Sequence, residues 1–265
     1  MVEITLLLYI VATVLLIIRV KRAPSGRLLS PLKWAAMMIA LLAITLHGYQ
    51  LWDSVVTGFG LNLSLFLVIS LTAWLINLIV IGSSLSSANE NLAIITLPAA
   101  IVSIILVDIN PHHEIIDLSA TPGLKFHILF SIISYSLLSI AAVQALLVAF
   151  QDYHLRRHRL KSIIGIFPSL ETMESLLFQM ISLGLILLSI SLISGAWFIS
   201  DIFAQHLVHK TVLSILAWLL FATLLWGRWR HGWRGRKAIR WTISGLTVLM
   251  LAYFGSKTVM ELILA

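Results

Sequence analysis

The chain has no cysteine among its 265 residues. That excludes disulfides, thiolate metal sites, iron–sulfur clusters and a thiol nucleophile, and with them any thiol–disulfide exchange by the chain itself. Charge is scarce at 11% of residues, and every Asp and Glu lies at the end of an apolar run or in a connection. A transporter driven by mid-membrane carboxylates is therefore disfavoured. The sequence also lacks a P-loop, a glycine-rich nucleotide fingerprint, an HExxH pair and a nucleophile elbow, and it has no internal repeat. No residue is singled out as catalytic, and the expectation is a protein that is not an enzyme.

What is abundant is apolar: 60% of residues are hydrophobic, and the mean hydropathy is +1.02. These values describe a polytopic membrane protein. Eight apolar runs are long enough to span, at 4–20, 32–52, 61–81, 92–109, 124–152, 173–199, 210–227 and 239–262, the fourth with a kink expected at Pro98. No remaining stretch is long enough for a soluble domain. The fold class is an all-α integral membrane protein of eight transmembrane helices, with 1–265 as a single polytopic membrane domain.

Fifteen of the eighteen basic residues fall in alternate connections: Arg19, Lys21, Arg22, Arg27 and Lys33, then Arg156, Arg157, Arg159 and Lys161, then Arg228, Arg230, Arg234, Arg236, Lys237 and Arg240. Positive-inside places those connections in the cytoplasm and both termini outside it. The net charge of +7 thus reads as membrane topology, and no nucleic-acid partner is expected. The first run lacks a basic region before it and has one after it, so it reads as an uncleaved span. The outer side carries seven of the eleven acids and six of the nine histidines: His47, His112, His113, His127, His206 and His209.

The most informative stretch is 121–161. Thr121 and Pro122 form a helix-start signal. The segment 124–149 is almost wholly apolar, about 39 Å of helix at ~1.5 Å per residue, and basic residues close it. Steps of three or four residues along it give His127, Ser131, Ser134/Tyr135, Leu138, Ala141/Ala142 and Ala145, one polar and small stripe. Lipid cannot satisfy such a stripe, so it should face protein or a cavity. In the sixth run Gly184, Leu188, Ser191 and Gly195 share a face that lets another backbone approach. Asn62, Asn77, Gln50 and Thr45 are candidates for hydrogen bonds between helices.

His127 is a candidate axial ligand to a haem iron, with Ser131 and Tyr135 lining the pocket; the alternative is a histidine hydrogen-bonded to a neighbouring helix. His209 and His47 lie at similar inferred depth, and each is either a second ligand or an interfacial histidine. His206 and His209 are three apart and share a face if helical. His112, His113 and Glu114 form a further candidate, for a divalent cation, although adjacent residues point apart on regular structure.

His127 followed by Ser134–Tyr135, within FHILFSIISYSLLSIAAVQAL, resembles the signature of the cytochrome c assembly family, which includes the haem–apocytochrome synthetase membrane subunit and HemX-type proteins. The eight-span layout, SILAWLLFATLLWGRWRHGWRG and LAYFGSK are similar to its YpjD-type inner-membrane group. The resemblance implies a multi-pass protein of the bacterial inner membrane that handles haem, with His127 at the position of the first outer haem-ligating histidine. The rest of the synthetase pattern is absent. AWFISDIFAQHLVHK holds one tryptophan, Trp197, where the synthetases carry a tryptophan-rich loop. Trp226 stands where their in-membrane histidine belongs, and Met260 and Glu261 where their second outer histidine belongs. The expectation is an accessory haem-binding factor, with haem at the outer ends of spans two, five and seven, His127 as axial ligand and His209 or His47 opposite. The alternative is a non-catalytic scaffold that docks another inner-membrane protein through its small-residue faces.

Overall fold

The computed structural model describes residues 1–22, 31–58, 60–86, 90–112, 114–116, 123–156, 168–198 and 205–255. Eight helices among them are long and apolar enough to cross a membrane: α1 (Val2–Arg22), α2 (Pro31–Val55), α3 (Leu65–Ser86), α4 (Glu90–Ile109), α5 (Gly123–Arg156), α6 (Leu170–Phe198), α7 (Gln205–His231) and α8 (Arg236–Met250). A π-helical turn, Leu251–Gly255, continues α8. Each of the eight apolar runs thus carries a helix among its described residues, as a membrane span requires: in lipid a spanning segment must satisfy its own backbone. α4 runs through Pro98 as one helix. The start signal at Thr121 and Pro122 lies outside the described residues, as do Arg27, Arg157, Arg159, Lys161, Met260 and Glu261.

The helices fall in two compact units, Met1–Asp117 with His154–Ser169, and Leu118–Tyr153 with Leu170–Ala265. In the first, α1 to α4 bury Tyr9, Ala12 and Leu16, Ala36, Ala40 and Ala43, Val80 and Ile81, and Ala93 and Leu97. The alanines recur at intervals of four and three along α2, a small-residue seam that permits close helix approach. Polar bonds tie the helices. The Asn77 amide donates to the Thr96 carbonyl (3.0 Å) and accepts from the Thr96 hydroxyl (2.8 Å). The Trp74 indole donates to the Ile44 carbonyl at 2.9 Å and the Gln50 amide to the Thr5 hydroxyl at 2.8 Å. Thr45 instead bonds the Leu42 carbonyl of its own helix. Where α1, α2 and α4 meet at one end, Glu90 is buried between Arg19, to which it is ion-paired, and Lys33, 3.8 Å away.

Three short strands, absent from the sequence reading, close the other end of this unit. β1 (Val56–Thr57), β2 (Gly60–Asn62) and β3 (Ile115–Ile116) form an antiparallel sheet in that order, joining the α2–α3 connection to the segment after α4. Asn62 is the clasp: its buried side-chain oxygen accepts from the backbone N–H of Glu114 (3.0 Å) and of Ser64 (3.3 Å).

In the second unit Leu138, Ala141 and Ala145 of α5 pack with Leu177, Phe178, Ile181 and Leu188 of α6, Phe221 and Leu224 of α7, and Leu249 of α8. The stripe on α5 therefore faces protein. The Ser134 hydroxyl donates to the Gly184 carbonyl (2.8 Å), and the Gln144 amide to the Met173 carbonyl (3.0 Å). The α7–α8 hairpin turns through Gly232 and Gly235, both at positive φ (64° and 55°); Gly232 N–H bonds the Arg228 carbonyl (3.1 Å) as a left-handed helix cap. Buried Glu174 of α6 anchors the turn, accepting from the Gly235 N–H and the Arg234 guanidinium at 2.9 Å each. That hydrogen bond, and the charge behind it, raise the Arg234 guanidinium above its ordinary pKa.

Candidate functional site

His127 sits one turn inside α5 and is half-buried. Its Nδ1 lies 2.9 Å from the Ser191 carbonyl oxygen of α6 and 3.4 Å from the Ser194 hydroxyl. A carbonyl only accepts, so Nδ1 carries the proton. The Ser194 hydroxyl donates to the same carbonyl at 2.9 Å, which leaves its oxygen to accept from Nδ1 as well. In the neutral ring Nε2 then keeps its lone pair, and it makes no hydrogen bond among the described residues. This is the arrangement that orients a metal-binding histidine: one ring N–H held by a backbone carbonyl, the other nitrogen left to coordinate. Ser131, one turn deeper, fixes the backbone. Its hydroxyl donates to the His127 carbonyl (2.6 Å) and accepts from the Ser191 hydroxyl (2.6 Å).

Tyr135 lies two turns beyond His127 on α5. Its ring meets Phe254 edge-on, with centroids 5.2 Å apart. Its hydroxyl is buried and makes no hydrogen bond among the described residues, a rare and costly condition for a protein polar group.

His47 is different. It is 1% exposed and belongs to the first unit. Its Nδ1 is 3.1 Å from the Tyr9 hydroxyl and its Nε2 2.9 Å from the Ser70 hydroxyl, with Ser103 donating to Ser70 at 3.4 Å. Both ring nitrogens are engaged in a network that runs through α1, α2, α3 and α4. His209 is exposed near the start of α7, in the same unit as His127, and its imidazole makes no hydrogen bond among the described residues. His113 and the side chain of His206 lie outside the described residues; His112 is exposed. Among the described residues no three His, Asp or Glu side chains gather as a metal site.

The face of Gly184, Leu188, Ser191 and Gly195 has a partner that the sequence reading did not name. A side chain at Gly184 would meet Leu138, one at Gly195 would meet the imidazole of His127, and Ser191 bonds that imidazole. The sequence marks these residues as small and in register, but which helix fills the gap is a tertiary fact.

The family model for the cytochrome c assembly protein matches residues 35–264. The chain belongs to the cytochrome c assembly family. Inner membrane protein YpjD of Escherichia coli strain K12 is 34% identical over 234 residues, 87% of this chain and 89% of that protein. Cytochrome c biogenesis protein CcsA of a Synechocystis strain is 32% identical over 87 residues, 32% of this chain and 26% of that protein. An uncharacterized 28.8 kDa protein of Azospirillum brasilense is 29% identical over 147 residues, 54% of each chain. No solved structure matches. With eight spans and a relative of near-equal length named for the inner membrane, the chain is a multi-pass inner-membrane protein.

Membership in the cytochrome c assembly family implies haem handling, and two features fit that group. Among the described residues, His127 Nε2 is a nitrogen donor with an open lone pair, and the Tyr135 hydroxyl is a buried donor without an acceptor. Trp226, where the resemblance to the synthetases would set an in-membrane histidine, is 60% exposed on α7 and packs edge-on to Trp229. It supplies no ligand.

Proposed function

We propose that this member of the cytochrome c assembly family is an accessory haem-binding factor and not the enzyme that attaches haem to apocytochrome. His127 would bind the iron through Nε2, with His209 as the second nitrogen ligand, and Tyr135 would offer its hydroxyl to the bound group. The observation that carries this reading is the hydrogen bond from His127 Nδ1 to the Ser191 carbonyl, because it decides which nitrogen is open. His209 is preferred over His47 since the latter would have to surrender two hydrogen bonds to coordinate. The division of basic residues between alternate connections supports both termini, and the His127 end of α5, being extracytoplasmic. Bound haem would supply an iron that His127 and His209 hold and present at that face. Ligation would require the tryptophan-rich loop and second outer histidine that the sequence lacks.

The competing scaffold reading names the small-residue face of α6 as a docking surface, but α5 of the same chain fills that face at Leu138 and His127. Detergent-purified protein from haem-replete cells should show a Soret band. His127→Ala should abolish or shift it with expression near normal, and His209→Ala should convert a six-coordinate low-spin spectrum to five-coordinate high-spin. Wild-type protein without Soret absorbance refutes the haem reading.

A further inference from the structure

The α6 face that meets His127 has a gap where a side chain would stand. A Cβ built on Gly195 would lie 2.9 Å from Cε1 and 3.1 Å from Nδ1 of His127, closer than real side-chain carbons approach a ring. The imidazole edge that carries the hydrogen bond therefore occupies the space of the residue 195 side chain. Ser191, whose carbonyl accepts the hydrogen bond from Nδ1, is four residues earlier on the same helix face. Acceptor and gap are stacked, and the ring lies against both.

We infer that Gly195 is a positioning residue of the His127 site: its absent side chain seats the imidazole against the Ser191 carbonyl and so fixes Nε2 as the unprotonated nitrogen. The purpose of the device rests on the haem reading; its geometry does not. A hydrogen bond to one carbonyl sets a distance but leaves the ring free to swing about χ2. The gap removes that freedom, because the ring edge drops into it while Ser194 and Ser131 flank the contact (3.4 Å to Nδ1 and 2.6 Å to the His127 carbonyl). With a methyl group at 195 the ring must rotate or α5 must retreat, and either lengthens the Nδ1 bond. An imidazole released from that bond returns to the mixed tautomers of free histidine, in which Nε2 is mostly protonated and unable to coordinate.

Gly184 provides the control. It lies on the same helix and is equally crowded, with a built Cβ 2.7 Å from a methyl of Leu138, but it does not touch the imidazole. The test is 15N spectroscopy of histidine-labelled, haem-free protein in detergent, with the His127 signals assigned by their loss in His127→Gln. Wild-type protein should show Nδ1 protonated and Nε2 bare. Gly195→Ala should lose that preference, while Gly184→Ala should retain it, the Ser191 carbonyl and its contact with the ring being intact. On haem titration Gly195→Ala should bind at least tenfold more weakly than Gly184→Ala. The inference is overturned if wild-type Nε2 is protonated, a result that does not depend on any variant folding. It is also overturned if Gly195→Ala keeps the wild-type tautomer, or if Gly184→Ala disturbs it equally. Wild-type protein with the expected tautomer and no affinity for haem would refute the haem reading and leave the positioning role of Gly195 standing.

Discussion

A histidine presents two ring nitrogens, and the two inward-facing histidines described here use them differently. His127 gives one to a backbone carbonyl and keeps the other open. His47 gives both to hydroxyls, Tyr9 on α1 and Ser70 on α3. In a membrane interior water cannot replace a lost partner, so His47 acts as a cross-link. His47→Ala should destabilise the protein by roughly 2–4 kcal/mol, from the cavity and the lost bonds to Tyr9 and Ser70. Tyr9→Phe should cost only about 0.6–1.7 kcal/mol, the range for a hydrogen bond between membrane helices. Denaturant unfolding in mixed micelles measures both. The Soret band of haem-loaded protein should be unchanged by either, and its loss in His47→Ala would make His47 a ligand after all. Which ring nitrogens are engaged is set by what the neighbouring helices present.

At the scale of elements, the α7–α8 hairpin depends on one carboxylate. Glu174 stands near the start of α6, yet its two oxygens bind residues 234 and 235. Gly235 has φ 55° and ψ −129°, a region that residues other than glycine avoid. Gly235→Ala should therefore destabilise the protein by about 1–3 kcal/mol. Glu174→Ala should lower the melting midpoint by more than Arg234→Ala, since only the former strips the Gly235 N–H of its acceptor. Equal midpoints for those two variants would show that the turn holds without the carboxylate. A sequence reading finds the basic connection after the seventh span and places Glu174 at a span end, but it cannot pair them across sixty residues. The same limit hid the three-stranded sheet. Strands of two or three residues carry no period to detect, and they exist here because Asn62 and Glu114 meet.

For the whole molecule, topology decides which side of the membrane His127 serves. Reporter fusions after Arg27, Arg159 and Gly235 should read cytoplasmic, and fusions within 111–120 extracytoplasmic. The opposite pattern would move the His127 site to the cytoplasmic face. A strain in which this chain is the only assembly factor should make no more covalent cytochrome c than an empty-vector control, judged by haem staining of a Cys–x–x–Cys–His apocytochrome. Holocytochrome above that control would make the chain a ligase.

Eight spans and the family were legible from residues alone. Hydrophobic length is a local property, and helices are what a lipid interior demands of a single chain that spans it. The polar stripe on α5 was legible for the same reason, because a helix converts sequence spacing into a face. Its partner was not. Whether His127 met a haem, a cavity or a neighbouring helix depended on which of seven other helices came against it, and periodicity carries no information on pairing. Only the packed structure put the Ser191 carbonyl under one nitrogen of His127 and left the other nitrogen open; the same packing engaged both nitrogens of His47. Hydrogen bonds between helices join residues 19 to 67 positions apart, and they form where the tertiary fold brings the two surfaces together.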